Sequence, residues 1–329
     1  MRPYSINTSG ADMTLEVLSK KLDDYDIEIP EFQRSQVWKI KQASKLIESF
    51  LLGLPVPQVF FYLDKASSKL LVVDGQQRLR SINAFFNGEY KGRTFRLTGV
   101  NPEWEGRTYE ELSESDKRRL RNSVLRSTTF EQVDPADDTS VIEVFNRLNT
   151  GGMSLTLQEV RNAVIGGNLN ALIKELNNDP RWRTLFGRSK IDLRQRDIEA
   201  ILRLLALNDN YTNYRKPMNE FLNTYLRDND KANNQELLKV RSVFESTIGV
   251  ILDRIGSDAF IPNKTINMSV ADAVFAGIAH NITNLPDDLS KRYNRLLRSK
   301  DFIISTEQHT TDADRVKSRI ALAINVFRK

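Results

Sequence analysis

The chain contains no cysteine and only two histidines among its 329 residues. Without cysteine there are no disulfide bridges, thiolate nucleophiles or cysteine-ligated zinc sites. His280 lies in an apolar helical pattern, so we expect it in a core or at a helix end, and His309 lies in a polar stretch. The pair lacks metal-ligand spacing. A nuclease built on a catalytic histidine and a His-rich metal site is therefore not expected, whereas metal sites made of carboxylates alone remain open.

Long apolar runs are also missing. Apolar stretches such as Val59 to Leu63 and Leu70 to Val73 are far shorter than the ~20 residues of a membrane-spanning helix. The first residues carry no apolar signal-peptide core. We therefore expect no membrane association and a cytoplasmic location.

Charge of either sign is abundant, with 48 Lys and Arg against 43 Asp and Glu and a formal net charge of +5. The sequence pI near 9.2 is compatible with nucleic-acid binding but does not require it. The densest basic run comprises Lys117, Arg118, Arg119 and Arg121, just after a predicted helix start at Ser113. Two interpretations are open, a solvated helix face or a patch that contacts DNA.

The most informative segment is Asp74-Gly75-Gln76-Gln77-Arg78, called here the Asp74–Arg78 turn. The apolar run Leu70 to Val73 before it predicts a buried strand, and the apolar spacing after it predicts a helix. Free backbone N–H groups and the positive end of the helix dipole favour anions at such a place. Gly75 would let a ligand approach the backbone, and Arg78 brings a cation suited to phosphate. The competing interpretation is a capped turn whose polar residues only tie down loops.

A second polar cluster comprises Asn146, Arg147, Asn149, Thr150, Gly151 and Gly152, and it continues on the next predicted helix with Glu159, Arg161 and Asn162. Taken alone, it predicts a helix–loop–helix corner with caps and a Glu–Arg pair. Together with the Asp74–Arg78 turn, it favours a shared pocket for a polyanion. Amides would orient the ligand, arginines would neutralise its charge, and glycines would allow close approach.

The secondary-structure pattern predicts an α+β protein. The first half alternates strand and helix signals, with strands expected at Pro57–Leu63, Lys69–Val73, Thr94–Leu97 and Ser127–Val133. Strand signals nearly vanish near residue 165, and seven helical patterns follow. We therefore predict a mixed domain over residues 1–165 and an all-helical domain over residues 166–329.

Several segments together resemble the N-terminal domain family of GmrSD-type modification-dependent restriction endonucleases, within the broader ParB/sulfiredoxin-like superfamily. The resemblance covers about residues 15–165, and the helical remainder, including Arg196-Asp197-Ile198-Glu199, is similar to the usual continuation. The matching pieces are Ile29-Pro30-Glu31-Phe32-Gln33-Arg34, Val37-Trp38, Lys45 to Phe50, Gly53-Leu54-Pro55-Val56-Pro57, Val73 to Leu79, Phe145 to Gly152 and Gln158-Glu159-Val160-Arg161-Asn162.

The resemblance implies a nucleotide-dependent element of bacterial defence against phage or foreign DNA. A nucleoside triphosphate, with Mg²⁺, would be bound and hydrolysed at the turn. Asp74 would hold the metal or orient a water, and Gln77 and Arg78 would complete the catalytic set. The expected nucleotide-binding residues are Arg34, Gly75, Gln76, Asn146, Arg147, Asn149, Thr150 and Gly151.

The resemblance also implies partners. These are DNA, including modified phage DNA, and an HNH-type nuclease subunit or domain that cuts it, with a homo-oligomer also open. The sequence ends at Lys329 without a His-rich module, so a partner cuts, or the sequence is partial, or the protein only senses and regulates. Two rival functions stay open: a non-hydrolysing, ParB-like DNA-binding or regulatory module, and a metal-dependent DNA nuclease that acts through carboxylates. The absence of cysteine excludes sulfiredoxin-type chemistry.

Overall fold

The computed structural model describes residues 6–29, 38–65, 67–133, 144–145, 147–148, 156–192 and 194–329. The chain divides into two compact units, a first unit over residues 1–155 and a second unit over residues 156–329. The first unit holds the strands and the second is helical, so the predicted α+β class is confirmed. The domain boundary at residue 165 and the ParB/sulfiredoxin-like fold remain predictions.

The first unit combines one five-stranded sheet, a small two-stranded sheet and four helices among its described residues. The strands are β1 (Ile6–Thr14), β2 (Ile27–Glu28), β3 (Val59–Asp64), β4 (Lys69–Asp74), β5 (Glu89–Tyr90), β6 (Arg93–Thr94) and β7 (Val124–Gln132), and the helices are α1 (Leu15–Asp23), α2 (Ile40–Leu51), α3 (Gln76–Phe86) and α4 (Glu114–Asn122).

The large sheet has the strand order β1-β7-β3-β4-β2. The predicted hairpin is present, because β3 and β4 pair antiparallel with Leu63 opposite Leu70. Strand β7 pairs antiparallel with β1 and parallel with β3, and β2 pairs parallel with β4, so both β3 and β4 lie inside the sheet. The strand predicted at Thr94–Leu97 was too long, since only Arg93 and Thr94 pair, with Glu89 and Tyr90. The turn that follows β4 thus extends from an interior strand.

The edge strand β1 was not predicted. Its residues are largely polar and exposed and lack the alternation that marks a half-buried strand. Pairing with β7 defines it instead, in a continuous register from Ile6 opposite Gln132 to Thr14 opposite Val124. A strand of this kind depends on its partner, and sequence periodicity cannot reveal it.

Helices α1 and α2 pack against α3, and their apolar faces share one core with the sheet. The predicted stripe of α2 is buried through Ala43, Leu46, Ile47 and Phe50. The fully buried members of this core include Leu15, Leu18, Ala43, Leu51, Val59, Phe61, Val72, Leu79, Ile82, Phe85 and Phe95. The start of α3, and hence the Asp74–Arg78 turn, packs against this core next to Val59 of β3.

The second unit contains ten α-helices among its described residues. They are α5 (Leu157–Val164), α6 (Asn168–Leu176), α7 (Pro180–Phe186), α8 (Arg196–Asn210), α9 (Met218–Asp228), α10 (Asn234–Arg254), α11 (Met268–Ala279), α12 (Leu289–Arg298), α13 (Lys300–Glu307) and α14 (Ala313–Val326).

Most of these helices match the predicted patterns, but α7 and α13 do not. The Asn/Asp/Pro cluster before α7 was taken for a loop, whereas Asp179 is an N-cap that accepts from Arg181 N–H and Pro180 is the first helical residue. Helix α13 starts directly after Ser299, so no loop separates it from α12. His280 is the C-cap of α11, which confirms the expected helix end.

Helix α11 is almost completely buried, and it carries a charged network into the core of the second unit. Asp272 accepts from Arg203 (Nη2 to Oδ2, 2.7 Å) and from Arg319 (Nη2 to Oδ2, 2.7 Å), and the Arg319 side chain is 0% exposed. Burial opposes the charge of both arginines. Burial is the largest single effect on the pKa of Arg203, but Asp272 and smaller contributions from Tyr214 and Glu199 together raise that pKa. Burial lowers the pKa of Arg319, and Asp272 opposes this effect. One carboxylate therefore holds two buried cations.

Replacing Asp272 with Asn should destabilise the second unit by about 3–5 kcal/mol, because two buried guanidinium groups lose their counter-charge. Thermal and urea denaturation measure the loss. Glu175→Gln is the matched control, since it removes the carboxylate of an exposed ion pair with Arg241. Equal stability of the two variants would contradict this role of Asp272.

The buried Tyr293 predicts a loss of stability in alkali. Burial, with the Asp258 carboxylate as a smaller cause, raises the pKa of Tyr293 to about 12. In the unfolded chain the phenol ionises near pH 10, so its contribution is complete below pH ~10 and disappears as the pH rises towards 12. Tyr293→Phe should therefore lose less stability than the wild type between pH 9 and pH 11 in urea denaturation. Tyr25→Phe, at an exposed tyrosine, should follow the wild-type profile; parallel profiles for all three proteins would refute the assignment.

Candidate functional site

The backbone of the Asp74–Arg78 turn depends on Gly75. Strand β4 ends at Asp74 and α3 begins at Gln76, and Gly75 between them has φ +98° in the left-handed region. A β-carbon at Gly75 would lie 2.4 Å from Cγ1 of Val59, which is fully buried on β3. Glycine is thus required both by the conformation and by the close packing of β3 beneath the turn.

Asp74 and Arg78 contact each other. Nη2 of Arg78 donates to Oδ2 of Asp74 (2.9 Å) and to the carbonyl of Gln58 (3.0 Å). The Arg78 side chain is 16% exposed and that of Asp74 is 40% exposed. The pair holds the guanidinium over the start of α3, and the carboxylate keeps access to solvent. The sequence predicted separate roles for these residues, and the structure joins them in one ion pair.

The two glutamines of the turn differ in their environment. Oε1 of Gln77 accepts from the backbone N–H of Trp38 (3.2 Å), which ties α3 to the segment before α2. Oε1 of Gln76 is buried and has no hydrogen-bond partner among the described residues, and the same is true of Nε of Arg78. One acceptor and one donor in this turn are therefore unsatisfied within the described chain.

The first turn of α3 has no side-chain cap. Its first intrahelical bond of the i to i−4 type runs from Leu79 N–H to the Gly75 carbonyl (3.0 Å). The earlier N–H groups of an α-helix have no partner within the helix, and the dipole adds partial positive charge there. The geometry of this helix start is therefore compatible with the predicted anion binding, and Arg78 lies on the same turn.

Only part of the second polar cluster lies in the described chain. Asn146, Asn149, Thr150 and Gly151 lie outside the described residues, as does Arg34. Arg147 is described and exposed. The buried ring of Phe145 packs edge-on against Tyr62 of β3 and Phe130 of β7, with ring centroids 6.5 and 6.2 Å apart. Phe145 is therefore anchored to the sheet from which the turn extends.

The residues predicted to follow on the next helix lie in the second unit. Thr156 and Glu159 form a capping box at the start of α5, which confirms the predicted helix start. Arg161 is fully buried, and it donates to Gln158, to Asn223 (2.7 Å) and to Glu199 of α8 (3.2 Å). Burial lowers the pKa of Arg161, with Glu199 opposing this effect. These contacts unite the Gln158–Asn162 and Arg196–Glu199 motifs in one polar network.

The basic run forms α4, and its members differ in availability. Nζ of Lys117 pairs with Glu110 and Glu114 (both 3.3 Å), and the Lys117 side chain is only 13% exposed. Arg119 donates to the Leu51 carbonyl (2.7 Å). Arg118 is exposed and Arg121 half-buried. An open concavity of about 480 Å³ runs along this helix, lined by Ser115, Arg118, Arg119, Asn122 and Ser123.

The part of the chain that the structure describes contains neither a metal-binding cluster of side chains nor a membrane-spanning helix. No group of three or more His, Asp or Glu side chains in the described ranges is arranged to hold a metal ion. Asp74 is thus a single carboxylate, which suits Mg²⁺ only when phosphate oxygens and water complete its shell. No helix in the described ranges is both long and apolar enough to span a membrane.

The supporting residues of the turn were not found from the sequence. Val59 sets the need for glycine, and Gln58 and Trp38 hold Arg78 and Gln77 through backbone groups. Backbone contacts carry no sequence signal. Only the β3–β4 hairpin, which was predicted, could have indicated that Val59 comes close to the turn.

Gly75→Ala should destabilise the first unit by about 2–5 kcal/mol, because it adds both backbone strain and a clash with Val59. Gly88→Ala is the matched control at the other end of α3. Gly88 has φ +75° and open space around its β-carbon position, so only strain is added. Val59→Ala in the Gly75→Ala background should restore part of the loss in denaturation experiments. A Gly75→Ala protein as stable as Gly88→Ala would refute the packing argument.

Comparison with known proteins relates part of the chain to a protein family. A search of curated proteins finds no match to the chain. The family model described as the GmrSD restriction endonuclease, N-terminal domain, matches residues 15–166. This range includes the Asp74–Arg78 turn, α4 and the second polar cluster, and it suggests a DNA-related role in a restriction system. Residues 15–166 of the chain are thus similar to the N-terminal domain of the GmrSD restriction endonuclease, the family that the sequence motifs indicated.

Proposed function

We propose that the first unit binds a nucleoside triphosphate at the Asp74–Arg78 turn and hydrolyses it, within a restriction system whose DNA cleavage belongs to an HNH-type partner or domain. The observation that carries the proposal is the guanidinium of Arg78. Asp74 and Gln58 fix it over an uncapped helix start, and its buried Nε has no partner in the described chain. A prepositioned cation at the N-terminal end of a helix suits a phosphate chain.

The proposal assigns the phosphates to the backbone N–H groups of residues 75–77. Gly75 lets the phosphates approach because it has no side chain. The buried acceptor of Gln76 would receive a hydrogen bond from a ribose hydroxyl or a base amine. Arg147, and the predicted partners Arg34, Asn146, Asn149, Thr150 and Gly151, would complete the nucleotide site.

Asp74 fits a metal role better than a direct phosphate contact. Its carboxylate is 40% exposed and would repel a phosphate without a cation between them. Bound Mg²⁺ would neutralise phosphate charge there. Arg78 would stabilise the charge that develops on the transferring phosphoryl group, and Gln77, held by Trp38 N–H, would orient the attacking water.

Turnover of ATP, GTP, CTP and UTP by the pure chain, with Mg²⁺, tests the proposal. Asp74→Ala and Arg78→Ala should each lower kcat/KM by roughly 100-fold or more, since each removes charge from the reacting centre. Arg78→Lys should not restore the rate, because one ammonium cannot reproduce the fork that spans Asp74 and Gln58.

Arg96→Ala and Glu111→Ala are the matched controls, since they break an exposed Arg–carboxylate pair of the same unit (2.9 Å). Both should keep wild-type turnover. Undiminished turnover in Asp74→Ala and Arg78→Ala would refute the site. Salt-sensitive DNA binding without any nucleotide effect would favour the non-hydrolysing module, and metal-dependent cutting by this chain alone would favour the nuclease.

We propose that the first unit contacts DNA through α4. The residues concerned are Lys117, Arg118, Arg119 and Arg121. Arg118 is the best placed of the four because it is exposed and makes no ion pair among the described residues. Lys117 is already paired with two glutamates, and Arg119 donates to the Leu51 carbonyl. Arg118→Gln should therefore weaken DNA binding more than Lys117→Gln in a fluorescence anisotropy titration. The reverse order would contradict the assignment.

A further inference from the structure

Helix α12 in the second unit has two opposite faces. Its buried side chains are Leu289, Tyr293 and Leu296. Lys291, Arg295 and Arg298 are all exposed. At ~100° per residue these three cations fall within an arc of roughly 60°, directly opposite the buried side. We call the exposed side, with Asn294 beside the cations, the α12 basic face.

The cations of this face have no carboxylate partner among the described residues. The acids of the segment lie at its ends, as Asp287 and Asp288 before the helix and Asp301 after it. Asp288 pairs with Arg292 (2.8 Å). That contact is the chief cause of the lowered pKa of Asp288, and Arg295 adds only a smaller electrostatic effect. The face thus keeps its positive charge, in contrast to Lys117 on α4.

The helix is rigidly held, so the face is presented in a fixed position. The hydroxyl of Tyr293 donates to the Ala259 carbonyl (3.0 Å) on the buried side. Arg292, at the edge of the face, donates to the carbonyls of Val326 (3.1 Å) and Arg328 (2.6 Å). Arg292 is therefore a structural residue, and the last residues of the chain lie against α12.

We propose that the α12 basic face binds the phosphate backbone of duplex DNA. The inference rests on the DNA-related part of the proposed function, and it needs no nucleotide chemistry. Along the helix axis, Lys291, Arg295 and Arg298 span about 10.5 Å, which matches a short stretch of phosphates on one strand. Asn294 adds an amide donor. The face carries cations and an amide on a rigid helix, so it positions DNA by charge.

The test is fluorescence anisotropy with the whole chain and a labelled, unmodified duplex of about 20 base pairs, over a range of salt concentrations. The triple variant Lys291→Gln, Arg295→Gln, Arg298→Gln should bind roughly 100-fold more weakly at ~0.1 M salt. The slope of log K against log salt should fall by about 3, one unit for each lost phosphate contact.

The matched control is Lys231→Gln, Lys239→Gln, Lys264→Gln, which removes three exposed cations elsewhere in the second unit. It changes the net charge equally and should keep nearly wild-type affinity and slope. Circular dichroism checks that both proteins fold. If the triple variant does not fold, the single variant Arg295→Gln replaces it. It should lose about one unit of slope.

Each outcome decides the matter. Unchanged binding by the triple variant, or an equal loss in the control, overturns the inference. A loss only for anionic lipid vesicles, with DNA binding intact, overturns it in favour of a membrane partner. Nucleotide turnover measured on the same samples separates the two proposals. Lost DNA binding with intact turnover supports the α12 basic face, and absent turnover with the predicted DNA result refutes only the nucleotide site.

Discussion

The close packing of Val59 beneath Gly75 fixes the geometry on which the candidate site depends. The strand β3 comes so near that a β-carbon would lie 2.4 Å from a Val59 methyl group. The backbone must therefore turn through a left-handed residue at the end of β4, and α3 must begin immediately afterwards. This handover directs the first N–H groups of α3 and the Arg78 side chain to the same end of the sheet. Without it, neither the helix dipole nor the guanidinium would be available to an anion.

The ion pair between Asp74 and Arg78 is compatible with two interpretations. As a structural contact, it joins the end of a strand to the first turn of a helix, and such a partly exposed pair contributes little stability. As part of a site, it holds in place a guanidinium that would face phosphate and a carboxylate that would face a metal ion. The unsatisfied Nε of Arg78 and Oε1 of Gln76 support the second interpretation, because they lie together in one turn at a helix start that suits an anion.

The sequence predicted this region better than its surroundings, for physical reasons. Periodicity identified β3, β4 and α3 because each buries a regular apolar face, and the turn residues between them were evident from composition. The contact of Asp74 with Arg78 joins the end of β4 to the first turn of α3, but the sequence analysis gave the two residues separate roles. Strand β1 escaped prediction because its pairing with β7, and not its own pattern, defines it. The need for glycine at position 75 depends on strand register, which no local pattern records.

The account has two parts, which are nucleotide chemistry at the Asp74–Arg78 turn of the first unit and DNA phosphate contacts on the basic helices α4 and α12. Nucleotide binding at the turn can be tested directly at its backbone amides. The measurement is hydrogen–deuterium exchange of the whole chain, with and without a non-hydrolysable nucleoside triphosphate analogue and Mg²⁺. The account predicts slower exchange of the backbone amides at residues 75–78 when the analogue is present, and no comparable change at the start of α4. Unchanged exchange at residues 75–78 under saturating analogue would contradict it.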